Sequence, residues 1–320
     1  MGSEAEGQSR RSIVPLITRR PRRTTLRTDD GVRIEALYEP WDGTSGGLSG
    51  GATRELAIVV AHGFTGSVDR PAVRRAARVF TRYAAVITFS FRGHGGSGGR
   101  STVGDREVLD LAAAVRWARS LGYARVVTVG FSMGGSVALR HAALYGNGPG
   151  AHGGRTEART AMTVASSAPA HTDAIVESSG PAHTDAVVAV SAPARWYYRG
   201  TAPMRRLHWV VTRPVGRLVG RFGFRTRIHG REWDPVPLSP VEAVARIASA
   251  TPLLVVHGDR DPYFPLDHPR MLAAAAAGAA ADASGLHELW IEPGMGHAEN
   301  AAHETLLTRI AAWLAEVTAA

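Results

Sequence analysis

Val126-Val127-Thr128-Val129-Gly130-Phe131-Ser132-Met133-Gly134-Gly135 is a β-branched apolar run that breaks at a serine set between glycines, and Ser136 to Tyr145 beyond it is apolar and helix-prone. The pattern reads as a buried strand, a sharp turn and a helix. A serine in such a turn is driven into unusual backbone angles. Gly130 and Gly134 remove the Cβ atoms that would strike strand and helix. The hydroxyl of Ser132 is then left standing at the top of a sheet.

The same rhythm extends in both directions. Upstream, Glu55 to Ala61 is a strand-sized apolar run ending in His62-Gly63-Phe64-Thr65-Gly66, and Ala84 to Phe89 is another, ending in Arg92-Gly93-His94-Gly95-Gly96-Ser97-Gly98-Gly99. Downstream, Pro252 to Val256 runs into His257-Gly258-Asp259-Arg260-Asp261-Pro262, and His287 to Ile291 into Pro293-Gly294-Met295-Gly296-His297. Helical patterns cover Arg70 to Tyr83, Asp105 to Ser120, Val241 to Ile247, Met271 to Ala281 and Glu304 to Val317. Strands alternating with helices predict an α/β fold, a parallel sheet with helices on both faces. Chemistry in such sheets gathers beyond the carboxyl ends of the strands, where these glycine-rich turns fall.

Three stretches depart from the alternation. Residues 1–23 are polar and basic and are expected to be disordered; Thr24 to Arg27 and Val32 to Tyr38 around Asp29-Asp30-Gly31 then read as an edge hairpin. Ser166 to Val176 recurs twelve residues later as Ser178 to Val188, a local duplication. One copy, Asp185 to Val190, is expected to supply a core strand while the other loops out, and His171 and His183, one in each copy, read as copied loop residues, not metal ligands. Residues 195–240 form an insertion, in which Arg195 to Arg231 carries ten arginines and no acid among interleaved aromatics. It suits two or three short helices capping the site, with apolar members such as Trp209, Leu218, Phe222 and Phe224 roofing it, leaving 24–194 and 241–320 as the core domain.

The net charge of +9 points first to nucleic acid, but all 37 basic residues are arginine and none is lysine, which looks like coding bias. No nucleic-acid partner is expected. The arginine-rich cap leaves peripheral contact with anionic lipids as a partner reading. With no cysteine there is no disulfide framework and no thiol nucleophile. No run approaches a membrane span, and Ile13 to Ile17 is too short for a signal peptide's apolar core, so a cytoplasmic location is the expectation.

A serine hydroxyl is a weak nucleophile at neutral pH and needs a base within hydrogen-bond reach. His297, in a Gly-rich turn directly after the last strand, is the candidate. Its imidazolium needs a carboxylate to fix the tautomer. Asp261 is preferred to Asp259 because Pro262 and Pro265 stiffen the loop around it, whereas Asp259 beside Gly258 suits a turn. Backbone N–H groups of Met133, after the serine, and of Phe64, in the turn that Gly63 lets approach closely, are the candidate oxyanion donors. His62 reads as a structural residue bonding loop backbone. The Arg92 to Ser97 turn lacks the Lys-Ser/Thr ending of a phosphate loop, so it reads as packing, not as a nucleotide site.

Taken together, His62 to Gly66, Arg92 to Ser97, Gly130 to Gly135, His257 to Asp261 and Gly296-His297 resemble the α/β-hydrolase superfamily, and within it capped serine esterases, monoacylglycerol lipases and serine-aminopeptidase-like hydrolases. The resemblance implies an eight-stranded, mostly parallel sheet with an antiparallel second strand and a helical cap inserted after the sixth. It also implies an acyl-enzyme on Ser132, with neither a metal nor an organic cofactor. The expected activity is hydrolysis of a carboxylic ester with a moderately apolar acyl group. The same three residues also suit a thioesterase, acyltransferase, perhydrolase or C–C hydrolase. A hydrolase-like module that binds without turnover is the reading from another class.

Overall fold

A computed structural model describes residues 20–43, 55–146, 175–247, 249–279 and 286–319. The elements are β1 (Arg22–Arg27), β2 (Arg33–Glu39), β3 (Leu56–Ala61), α1 (Pro71–Phe80), β4 (Ala85–Phe89), α2 (Glu107–Ser120), β5 (Arg125–Phe131) and α3 (Met133–Tyr145), then β6 (Ile175–Val176), β7 (Val187–Val190), α4 (Ala202–Thr212), α5 (Pro214–Gly223), α6 (Pro240–Val244), β8 (Leu253–Gly258), α7 (Asp267–Ala279), β9 (His287–Glu292), α8 (Ala298–Ala301) and α9 (Glu304–Val317). The sheet order is β6-β1-β2-β4-β3-β5-β7-β8-β9. β2 alone runs against the rest, pairing antiparallel with both β1 and β4.

Every residue of β3, β4 and β8 is buried because helices cover both faces, which is why these strands are continuously apolar and do not alternate. Alternate side chains feed two cores. Ala57, Val59 and Ala61 pack with Leu111 and Trp117 of α2, Leu139 of α3 and Leu272 of α7; Leu56, Ile58 and Val60 pack with Phe80 of α1 and Leu307, Ile310 and Leu314 of α9.

Two expectations need correction. The sheet has nine strands, not eight: Ile175 and Val176, at the tail of the first duplicated copy, add a two-residue strand parallel to β1 against Thr25 and Leu26. A free edge offers unpaired backbone groups that even a short segment can satisfy. Residues 166–174, including His171, lie outside the described residues. β1 also begins at Arg22, inside the stretch expected to be disordered, and Arg23 there pairs with Glu35 and with Asp69 at 2.5 Å. The rest of that stretch, residues 1–19, lies outside the described residues. The second copy supplies β7, between β5 and β8.

Strand order reverses at β3, which has β4 on one side and β5 on the other. Register pairs Ala61 with Gly130, so the turn after β3 and the turn carrying Ser132 lie side by side. Such a reversal opens a crevice at the carboxyl edge. Among the described residues no helix is long and apolar enough to cross a membrane.

Candidate active site

Ser132 sits at φ 51°, ψ −114°, a conformation that side-chain-bearing residues rarely adopt. Its surroundings fix it there. Its N–H donates to the Val190 carbonyl at 2.8 Å, and its own carbonyl accepts the Ser136 N–H at 3.1 Å as α3 begins. A Cβ on Gly130 would lie 2.2 Å from the Gly134 carbonyl oxygen, and one on Gly134 would lie 2.2 Å from that of Ala61. Only glycine allows strand, turn and helix to close this tightly.

β8 and β9 deliver the other two side chains. Past their last pair, Gly258 with Glu292, the loops remain crossed: the Arg260 N–H donates to the Met295 carbonyl at 3.1 Å. His297 Nε2 lies 2.8 Å from Ser132 Oγ, and His297 Nδ1 lies 2.7 Å from Asp261 Oδ2. The three residues that sequence singled out therefore form one connected chain. With Nδ1 protonated toward the carboxylate, Nε2 is free to accept a hydrogen bond from the Ser132 hydroxyl.

Asp261's other oxygen accepts the N–H groups of Tyr263 at 2.8 Å and Phe264 at 3.2 Å. Its side chain is wholly buried. Burial raises its pKa, but the hydrogen bond and charge of His297 together with the Tyr263 amide outweigh that, and the carboxyl is held below the usual carboxylate value. Asp259 points elsewhere, accepting the Gly294 N–H at 2.6 Å to brace the turn before His297.

The turn after β3 is closed by the Gly66 N–H donating to the Gly63 carbonyl at 2.9 Å. Two buried histidines hold it from below. His62 Nδ1–H donates to the Gly63 carbonyl at 2.6 Å while its Nε2 accepts the Phe91 N–H at 3.0 Å. Burial depresses its pKa to about 3, so it is neutral at physiological pH. His94, from the Arg92 to Ser97 turn, accepts the Thr65 N–H at 3.3 Å, and the Arg92 guanidinium beside it is fastened to Asp110 and Asp30, both at 2.7 Å. Phe64 and Met133 border the same cavity as Ser132.

That cavity is about 450 Å³ and is lined, besides Ser132, by Met204, Leu207 and Val211 of α4 and by Arg217 of α5. A family model described as the alpha/beta hydrolase family matches residues 58–309. The chain belongs to the alpha/beta hydrolase family.

Solved structures of similar fold include the esterase Pf2001 of Pyrococcus furiosus, with TM-score 0.60 and 19% identity over 93% of this chain and 89% of that one. Est1E of Butyrivibrio proteoclasticus with ferulic acid bound matches at TM-score 0.56 and 15% identity, covering 93% and 100%. The esterase domain of a Rhodothermus marinus protein gives TM-score 0.54 and 17% identity over 93% and 99%. No curated protein matches the sequence significantly.

Two residues of this alpha/beta hydrolase escaped sequence reasoning. Glu299, on the short helix after His297, accepts the Gly63 N–H at 2.9 Å. Ser191, at φ 51° just past β7, accepts the Ala298 N–H at 3.1 Å and so pins the backbone next to His297. Both act across large sequence distances. The one cue in the sequence was an isolated acid two residues past the histidine.

Proposed function

We propose that this protein is a serine hydrolase that cleaves a carboxylic ester of a moderately apolar acyl group, with α4 and α5 as a cap over the site. The observation that carries the reading is the position of His297, within hydrogen-bond distance of both Ser132 Oγ and Asp261. Ser132 attacks the ester carbonyl as His297 Nε2 takes its proton, and Asp261 stabilises the imidazolium that results. Negative charge builds on the carbonyl oxygen, where the Phe64 and Met133 N–H groups receive it, each worth about 3 kcal/mol in the transition state. Collapse of the intermediate expels the alcohol, which leaves with the proton from His297. Water, deprotonated by the same imidazole, then releases the acid and restores Ser132.

The apolar roof of Met204, Leu207 and Val211 suits an aliphatic or aromatic acyl chain over a strongly polar one. Hydrolysis of p-nitrophenyl esters of increasing chain length, by the native chain and by Ser132→Ala, tests the reading. Loss of at least about 10⁴-fold in kcat with an unchanged circular dichroism spectrum is expected. Undiminished turnover by Ser132→Ala would refute it.

A further inference from the structure

Helix α5 is packed inside out. Its buried residues are Gly216 and Gly220, one turn apart. A Cβ on Gly216 would lie 2.4 Å from the Trp209 carbonyl oxygen, and one on Gly220 would lie 2.9 Å from Ile228 Cδ1. The bulky residues Val215, Leu218, Val219 and Phe222 recur at the spacing of one helix face and are 62%, 54%, 42% and 75% exposed. Trp209 and Phe224 flank them, so six of the ten exposed large apolar residues among those described fall between positions 209 and 224. Glycine carries no side chain whose burial could hold α5 to the body, while the residues that would do so face outward.

Charge surrounds this face. From Arg199 to Arg231 there are nine arginines and no acid. None of the nine pairs with a carboxylate among the described residues, although Arg74, Arg92, Arg116 and Arg119 elsewhere all do. Arg217 and Arg221 of α5, with Arg100 and Arg227, line a second cavity of about 430 Å³ that Leu218 also borders and no acidic residue lines.

From this arrangement we infer that the outer face of α5 docks the protein on a membrane surface rich in anionic lipids. A bilayer satisfies both halves of the pattern. Apolar side chains enter the boundary of the acyl chains, and arginines extend to the phosphates of the headgroups. A second copy of this chain would set arginine against arginine. Nucleic acid would match the charge but offer nothing to Val215, Leu218 and Val219. Residues of α4 and α5 line the cavity that holds Ser132, so docking brings that cavity within roughly a helix diameter, about 10 Å, of the lipid. The inference concerns the surface alone and stands whichever bond is cleaved beneath it.

Flotation of the full chain with vesicles tests it, using phosphatidylcholine alone and phosphatidylcholine mixed with phosphatidylglycerol, at low and high salt. The native chain is expected to float with the mixed vesicles and to be released by salt. Leu218→Ser with Phe222→Ser should abolish flotation, and Arg221→Gln and Arg225→Gln should each lower partitioning about 5-fold. All four side chains are exposed, and unchanged near-ultraviolet circular dichroism verifies the fold of each variant. Three results would overturn the inference: no flotation of the native chain with mixed vesicles, undiminished flotation of the Leu218→Ser/Phe222→Ser variant, or a concentration-dependent dimer that Phe222→Ser dissolves while vesicles bind nothing.

Discussion

The Glu299 carboxylate accepts the Gly63 N–H at 2.9 Å, which ties the helix following His297 to the turn that carries Phe64. One side chain thus couples the position of the proposed base to that of a proposed oxyanion donor. A Cβ on Gly63 would sit 3.1 Å from the same carboxylate, so a side chain there would press on this contact.

Glu299→Ala should therefore lower kcat by about 10- to 100-fold with little change in KM, because the turn drifts without being lost. Glu299→Gln keeps a side-chain acceptor for the Gly63 N–H and should recover most of the rate. Steady-state kinetics of the two variants decide the matter. Equal defects in both would point to a need for the charge, not for the hydrogen bond.

The two aspartates of the loop after β8 should separate cleanly. Asp261→Asn leaves His297 without its carboxylate and is expected to reduce kcat by roughly 10⁴-fold. Asp259→Asn retains an oxygen for the Gly294 N–H and should leave ester turnover nearly intact. Comparable losses in the two would contradict the assignment.

Glycine substitutions offer a structural test. Gly134→Ala places a methyl 2.2 Å from the Ala61 carbonyl oxygen and is expected to cost about 1–3 kcal/mol in urea unfolding, with activity lost through a displaced Ser132. Gly278→Ala meets nothing within 4 Å in α7 and should stabilise by roughly 0.5–1 kcal/mol.

Acid should weaken the fold well above the carboxylate range. Burial lowers the pKa of His62 and His141 to about 3 and of His268 to about 4. The unfolded chain, near 6.5, takes up these protons first, so their contribution is complete above pH 6.5 and is lost as pH falls from there toward 3–4. Each histidine loses about 1.4 kcal/mol per pH unit within that window. Neither ring nitrogen of His141 has a hydrogen-bond partner among the described residues, and its ring stacks on Tyr145 at 4.8 Å. His141→Phe should accordingly remove one proton's worth of slope from urea unfolding free energies measured between pH 7.5 and 5. An unchanged slope would show that His141 titrates normally.

What the sequence made legible was whatever lies close in the chain or is dictated by burial. The runs at β3, β5 and β8 announced a sheet covered on both faces, and the glycines about Ser132 announced a turn that only they permit. The relation of Asp261 to His297 was accessible because each follows directly on a strand end. Glu299 and Ser191 were not, since each acts on backbone far away in sequence and, apart from the place of Glu299 two residues past His297, carries no local pattern. β6 was missed because two residues filling a free edge have no periodicity to detect. In α5 the apolar residues were expected to roof the site, but Leu218 and Phe222 are exposed, because an apolar pattern names a face without saying which way it points. That direction followed from Gly216 and Gly220 packing against α4 and Ile228, a contact no sequence window contains.

In the proposed mechanism Ser132 becomes acylated because His297 and Asp261 activate it. Mass spectrometry of the chain after brief exposure to a fluorophosphonate probe is the decisive experiment. One adduct per chain, mapped to Ser132, absent from Ser132→Ala and strongly slowed in His297→Ala, is the predicted result. An unmodified Ser132 in folded protein, or equal labelling of Ser132→Ala, would contradict it.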